Sequence, residues 1–63
     1  MRFTVTIQAD NAAFGETLED RETEIVLILH RLIRAMQDEH VTESVLLLDT
    51  NGNRVGEARW TNG

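Results

Sequence analysis

The sequence VLLLDTNGNRVGEARW, residues 45–60, decides the fold of this chain because it predicts two β-strands joined by a tight turn. Asn51-Gly52 between two strand-like runs is the preferred dipeptide of a type I′ hairpin, in which both central residues take positive φ. The flanking residues predict strands over 43–49 and 54–60. Residues 45–48 are apolar without alternation, a pattern typical of a strand that is covered on both faces.

The strand over residues 54–60 has two different faces. Gly56, Ala58 and Trp60 share one of them, and we place this face inward because its small side chains let a helix approach. The opposite, outer face then carries Val55 and, in either hairpin register, two apolar residues of the 45–48 run. Since exposed apolar patches mark contact surfaces, we expect self-association there. The expected self-association face consists of Val55, Glu57, Arg59, Thr4 and Thr6.

The N-terminal residues predict a third strand followed by a loop. Residues 2–8 alternate between apolar and polar side chains, which indicates a strand with one buried face. Residues 9–16 break this alternation with turn-forming Asp, Asn and Gly, and we expect a loop whose Phe14 covers one end of the core.

The segment 17–38 predicts one amphipathic helix. Thr17 and Asp20 approximate a capping box at its start, with Asp in place of Glu or Gln. Successive residues of a helix are about 100° apart. On this spacing the apolar residues form one stripe that we expect to cover the sheet: Leu18, Ile25, Ile28, Leu29, Leu32, Ile33 and Met36. Leu27 lies on the opposite side, where only a partner would bury it.

These elements predict an α+β fold of βαββ order, a single small domain over residues 1–63 with one amphipathic helix packed on a three-stranded sheet. The pattern leaves open whether the first strand lies beside the second or the third. A domain of about 60 residues has a marginal core, which disulfides, a metal or oligomerisation usually supplement. The chain has no cysteine, so we expect either very good packing or a second subunit.

The charge balance narrows the partners. Eleven acidic residues against six basic ones give a net charge of −5, the wrong sign for direct binding of nucleic acid or of an anionic membrane. Lysine is absent, which excludes Schiff-base chemistry and a phosphate-loop lysine. The first residues alternate instead of forming an apolar signal segment, and the apolar run 25–29 is too short to span a bilayer. We therefore expect an intracellular protein.

The candidate chemical sites are weak. The residues 49–53, DTNGN, resemble the start of an EF-hand loop, but Arg54 stands where the loop needs glycine and Trp60 where it needs glutamate. His30 and His40 are ten residues apart and cannot chelate one ion within a single helix. Ser44 is the only serine, and there is no cysteine or tyrosine. We expect no enzyme, no metal and no cofactor.

Five acidic residues crowd the predicted start of the helix and have two interpretations. As a solvated helix start they complement the helix macrodipole, each contributing about 0.3–1 kcal/mol at most. As a binding site they form an acidic knob that engages a basic surface of another protein. The residues concerned are Glu16, Glu19, Asp20, Glu22 and Glu24.

Three segments together resemble a recurring type of short phage and prophage protein. They are residues 3–7, FTVTI, residues 10–14, DNAAF, and the pattern D-x-NGN-x-VG over residues 49–56. The resemblance covers nearly the whole chain and implies no catalytic residues, but it implies a phage origin and the host bacterial cytoplasm.

Small acidic proteins of this type often act by binding a host protein. The resemblance therefore implies a stoichiometric inhibitor of a bacterial defence system, anti-CRISPR-like, that occludes a basic surface of a CRISPR effector or another nucleic-acid-handling complex. The alternative is a homodimer or larger oligomer, a structural or accessory phage protein that associates through the outer sheet face.

Overall fold

One helix packs against one face of a three-stranded antiparallel sheet, which confirms the α+β, βαββ expectation. The computed structural model describes residues 1–63. The elements are β1 (Arg2–Ile7), a 3₁₀ turn (Ala12–Phe14), α1 (Leu18–Asp38), β2 (Ser44–Leu48) and β3 (Arg54–Thr61). These bounds lie within one residue of the predicted ones.

The longest strand, β3, is central. The sheet order is β1-β3-β2, which answers the question that the sequence pattern left open. Val5 of β1 and Val45 of β2 both lie opposite Ala58, so β1 and β2 flank β3 on either side at the same level. The position of Gly56 is set by this pairing, since an added Cβ would lie 1.8 Å from the carbonyl oxygen of Thr6.

The hairpin between β2 and β3 differs from the type I′ turn predicted for it. Gly52 has a φ of 85°, but Asn51 does not take positive φ. The Gly52 amide donates to the Asp49 carbonyl (3.0 Å), and the Asp49 amide donates to the Asn53 carbonyl (2.9 Å). This is the longer hairpin loop in which an ordinary β-turn is followed by one left-handed glycine, so only Gly52 needs a left-handed backbone.

A bulge in this hairpin makes the predicted outward placement of Val55 wrong. Leu47 lies opposite Gly56 while Leu48 lies opposite Arg54, so Val55 is the extra residue on β3. An extra residue breaks the alternation of side chains between the two faces of a strand. Val55 is consequently buried in the core. Ala58 is also buried there, which agrees with its predicted inward direction.

The hydrophobic core is small and lies between α1, the 3₁₀ turn and the sheet. Phe14 is fully buried, which confirms the prediction that it covers one end of the core. Partly buried side chains, including Phe3, Ile7 and Ile25, pack around it. The buried apolar residues are Phe14, Ile28, Leu32, Leu47, Val55 and Ala58.

The helix does not bury the whole apolar stripe that its sequence predicts. Its buried residues are Glu24, Ile28 and Leu32, and at about 100° per residue their centre lies roughly 70° from the centre of the stripe. Leu18, Leu29 and Ile33 of the predicted inner stripe are therefore exposed. No helix of the protein combines the length and the apolar character needed to cross a membrane.

Candidate protein-binding surfaces

The start of α1 presents a group of exposed carboxylates. Thr17 caps the helix, because its Oγ1 accepts from the Asp20 amide (3.0 Å). The one ion pair in the protein joins Arg59 and Glu57 on the sheet, so the carboxylates at the helix start have no cationic partner within the chain. We call this surface the acidic end; it consists of Glu16, Glu19, Asp20 and Glu22, all exposed.

An exposed apolar side chain stands among these carboxylates. Leu18 is 73% exposed and lies one turn before Glu22 on the same side of the helix. Val26, also exposed, is seven residues after Glu19 and shares its face. The acidic end therefore offers apolar contact area beside negative charge, a combination that suits a protein surface better than bulk water.

Glu24 does not belong to the acidic end, so the prediction that placed it there is wrong. Its carboxylate is buried and accepts from the Thr50 amide (2.8 Å) and from the Thr50 hydroxyl. Glu24 thus ties the second turn of α1 to the β2–β3 hairpin. This contact also explains the rotation of the helix, because Glu24 can reach the hairpin only if the exposed part of the apolar stripe turns away from the sheet.

A second buried carboxylate organises the hairpin itself. Asp49 accepts from the amides of Asn51 and Asn53 (both 2.9 Å) and from the Asn11 side-chain amide (2.7 Å). Burial alone would raise the pKa of Asp49, but these hydrogen bonds, led by the one from the Asn53 amide, outweigh burial and hold its pKa below the ordinary value. Asp49 therefore has a structural role.

The DNAAF segment and the hairpin motif also meet at this point. Asn11, from DNAAF, caps the 3₁₀ turn by accepting from the Ala13 amide (3.1 Å) and bonds to Asp49 from the hairpin motif. The two motifs are thus one polar cluster that joins loop to hairpin. The structure contains no group of three or more His, Asp or Glu side chains able to hold a metal ion.

The outer sheet face brings together four of the five residues predicted for self-association. Thr4 lies opposite Arg59, and Thr6 lies opposite Glu57. Arg59 and Glu57 form an ion pair (3.3 Å). With Val55 buried, these four side chains form a polar area with no apolar centre. The apolar character that we expected on this face is confined to Leu46 and Leu48 of β2, both exposed.

Between α1 and β2 runs a narrow apolar groove of about 210 Å³. Arg31 borders it, and the Nη1 of Arg31 donates to the Leu48 carbonyl (3.3 Å). Its apolar lining residues are Ile28, Leu32, Ala35, Val45, Leu46, Leu47 and Leu48.

Comparison with protein-family models, curated proteins and solved structures gives no significant match. The functional argument therefore rests on the surfaces themselves. The sequence located the acidic end but did not reveal that Glu24 is buried, because an acidic residue near the start of a helix is expected to be exposed to solvent. The signal that could have indicated it is the position of Glu24, four residues before Ile28 on the side of the helix that turns toward the sheet.

Proposed function

We propose that this protein is a small protein-binding module, encoded by a phage, that inhibits a bacterial defence system by occluding a basic surface. The partner class is a CRISPR effector or another nucleic-acid-handling complex in the host cytoplasm. The observation that carries this proposal is the acidic end, with four exposed carboxylates that have no ion-pair partner in the chain and an exposed Leu18 among them.

Electrostatics gives such a surface a mechanism. A groove that binds nucleic acid is lined with Arg and Lys, and complementary charge accelerates association with it and excludes wrong partners. The net charge of −5 adds to the attraction. Because Glu19 and Asp20 lie in the first turn of α1, the positive end of the helix macrodipole stabilises their negative charge.

Occlusion needs no catalytic group. The module would act in a one-to-one complex, in which its carboxylates take positions that phosphates of the nucleic acid would otherwise occupy. Leu18 and Val26 add apolar area beside the charges, so the complex would keep part of its affinity as salt screens the ionic contacts.

A direct test titrates the protein into purified RNA-guided effector complexes that are binding a labelled target DNA, and follows DNA binding by fluorescence anisotropy. We expect loss of DNA binding at near-equimolar protein with at least one complex. The variant Glu19→Gln/Glu22→Gln should weaken inhibition by up to about thirtyfold, since each exposed charge pair in an interface contributes up to about 1 kcal/mol.

The matched control is Glu39→Gln/Glu43→Gln, which removes the same charge at exposed sites away from the acidic end. If both double variants lose inhibition equally, net charge and not the acidic end is responsible. If no effector complex is inhibited, and affinity purification from host lysate at low salt recovers no specific partner, the proposal fails.

A further inference from the structure

The protein exposes more surface than a monomer of its size should. Its accessible surface is 4775 Å², whereas monomeric proteins of 7.2 kDa expose about 4,100 Å². The radius of gyration, 12.1 Å, also exceeds the roughly 10.6 Å typical of this length. The excess of roughly 650 Å² is close to the ~800 Å² that each partner buries in a stable interface.

The edge strand β2 is built as though it were a central strand. Its sequence SVLLL contains no charge, and the strand is apolar on both faces: Val45 and Leu47 turn inward, while Leu46 and Leu48 are 53% and 43% exposed. Natural edge strands are protected against pairing by lysine, proline, inward charges or a covering element. β2 has no charge or proline of its own, and the single protecting contact on its edge is that of Arg31.

The backbone of β2 is oriented to accept another strand. The Trp60 amide donates to the Glu43 carbonyl (2.9 Å). Because hydrogen-bonding direction alternates along an antiparallel strand, Val45 and Leu47 then bond to β3, and Ser44, Leu46 and Leu48 direct their N–H and C=O groups to the open edge. Of these edge groups, the Leu48 carbonyl accepts a hydrogen bond from Arg31.

We propose that a second copy of this chain pairs antiparallel with β2 about a two-fold axis at Leu46, giving a continuous six-stranded sheet. In this register Leu46 lies opposite its own copy, Val45 opposite Leu47, and Ser44 opposite Leu48. Every apolar side chain of the strand meets an apolar one, apart from Leu48, and no like charges face each other. Such self-complementarity is what a two-fold interface requires.

The position of the helix fits the same axis. Among the strands, α1 packs closest to β2, so pairing at this edge brings the two helices side by side in antiparallel orientation. Leu27, 45% exposed, lies next to Arg31 on the edge side of α1 and would be buried there.

The opposite edge of the sheet suits a second copy less well. The outer side of β1 carries Arg2, Thr4 and Thr6, all exposed and polar. A strand added there would bring two copies of Arg2 and a row of hydroxyls into the new interface. The apolar groove between α1 and the sheet also lies on the β2 side.

Sedimentation equilibrium and amide hydrogen exchange test the proposal on the unmodified chain. We expect a mass of twice 7.2 kDa at micromolar concentration, and slow exchange of the Leu46 amide, which has no acceptor within one chain. Leu46→Lys should give a monomer and restore fast exchange at residues 44 and 48. The matched control, Thr4→Lys, adds the same charge to the same face at the other edge and should remain dimeric.

A monomer at millimolar concentration with an unprotected Leu46 amide overturns the proposal, and leaves the edge to a strand from a different protein. A dimer that Thr4→Lys dissociates and Leu46→Lys does not overturns it as well, since the interface is then at β1. If circular dichroism shows that Leu46→Lys is unfolded, exchange at Leu46 in the unmodified chain decides. Glu19→Gln/Glu22→Gln should not change the mass, so this test is independent of the proposed inhibitory function.

Discussion

The buried hydrogen bonds between Glu24 and Thr50 provide the sharpest test of the fold. Replacing Glu24 by Gln keeps the size and helix propensity of the side chain but removes one acceptor oxygen and the charge. A hydrogen bond to a charged group contributes about 1.5–3 kcal/mol, so we expect Glu24→Gln to lower the free energy of unfolding by about 2 kcal/mol. The total free energy of unfolding of a domain of this length is roughly 3–9 kcal/mol, so the expected loss is a large fraction of the stability.

Trp60 offers a direct probe for this measurement. Trp60 is the only tryptophan. Its Nε1 donates to the Val41 carbonyl (2.9 Å), and the centroid of its ring lies 4.7 Å from the centroid of the Phe3 ring. Urea unfolding followed by Trp60 fluorescence and by circular dichroism, at one fixed protein concentration, gives the free energy. The melting temperature should fall by about 8–16 °C.

Two further variants make the result specific. Glu22→Gln is the same chemical change two residues earlier at an exposed site, and it should alter stability by less than about 0.5 kcal/mol. Thr50→Val removes the hydroxyl donor, and in a double-mutant cycle with Glu24→Gln the two effects should be less than additive by about 0.5 kcal/mol or more. The reasoning is refuted if Glu24→Gln is as stable as the unmodified protein, or if the two effects add fully.

Three other predictions follow from individual contacts. Gly52→Ala should cost about 1–2 kcal/mol, because its φ of 85° strains any residue with a Cβ although the surrounding space is open; equal stability in urea unfolding would contradict this. Hydrogen bonds lower the pKa of Asp49 in the folded state. The stabilisation that the Asp49 carboxylate provides is therefore present above the unfolded pKa of about 3.9 and is lost as the pH falls through the lower folded value. Between pH 5 and pH 2 the melting temperature of Asp49→Asn should fall less steeply than that of the unmodified protein, and parallel curves would contradict this prediction. Val55→Asp should unfold the chain by placing a charge in the core, and a folded variant by circular dichroism would show that Val55 lies outside the core.

The polar cluster shows where prediction from sequence ended. Asp49 and Asn11 are recognisable as turn formers, but that they bond to each other across 38 positions of the chain follows from the fold alone. The position of Val55 is a similar case. Strand alternation placed it outside, and one extra residue opposite Leu47 and Leu48 reversed its direction. Local patterns do not encode such an irregularity, because it depends on how the turn closes the hairpin.

The candidate surfaces divide along the same line. The sequence was sufficient to indicate the four residues of the acidic end, because charged side chains are mostly exposed, but it also placed the buried Glu24 among them. It also indicated a strand, residues 45–48, that is apolar on both faces. It could not indicate that β2 would be an edge strand, since strand order depends on which pairing buries the most surface.

The sequence by itself determined the order of elements, their bounds and the sign of the charge, because apolar periodicity, turn residues and net charge act over short distances along the chain. The tertiary structure decided the rotation of α1, the burial of Glu24 and the open edge of β2. The physical reason is competition for one small core. A buried carboxylate must keep its hydrogen bonds, so α1 turns Glu24 toward Thr50 and leaves part of its apolar stripe exposed.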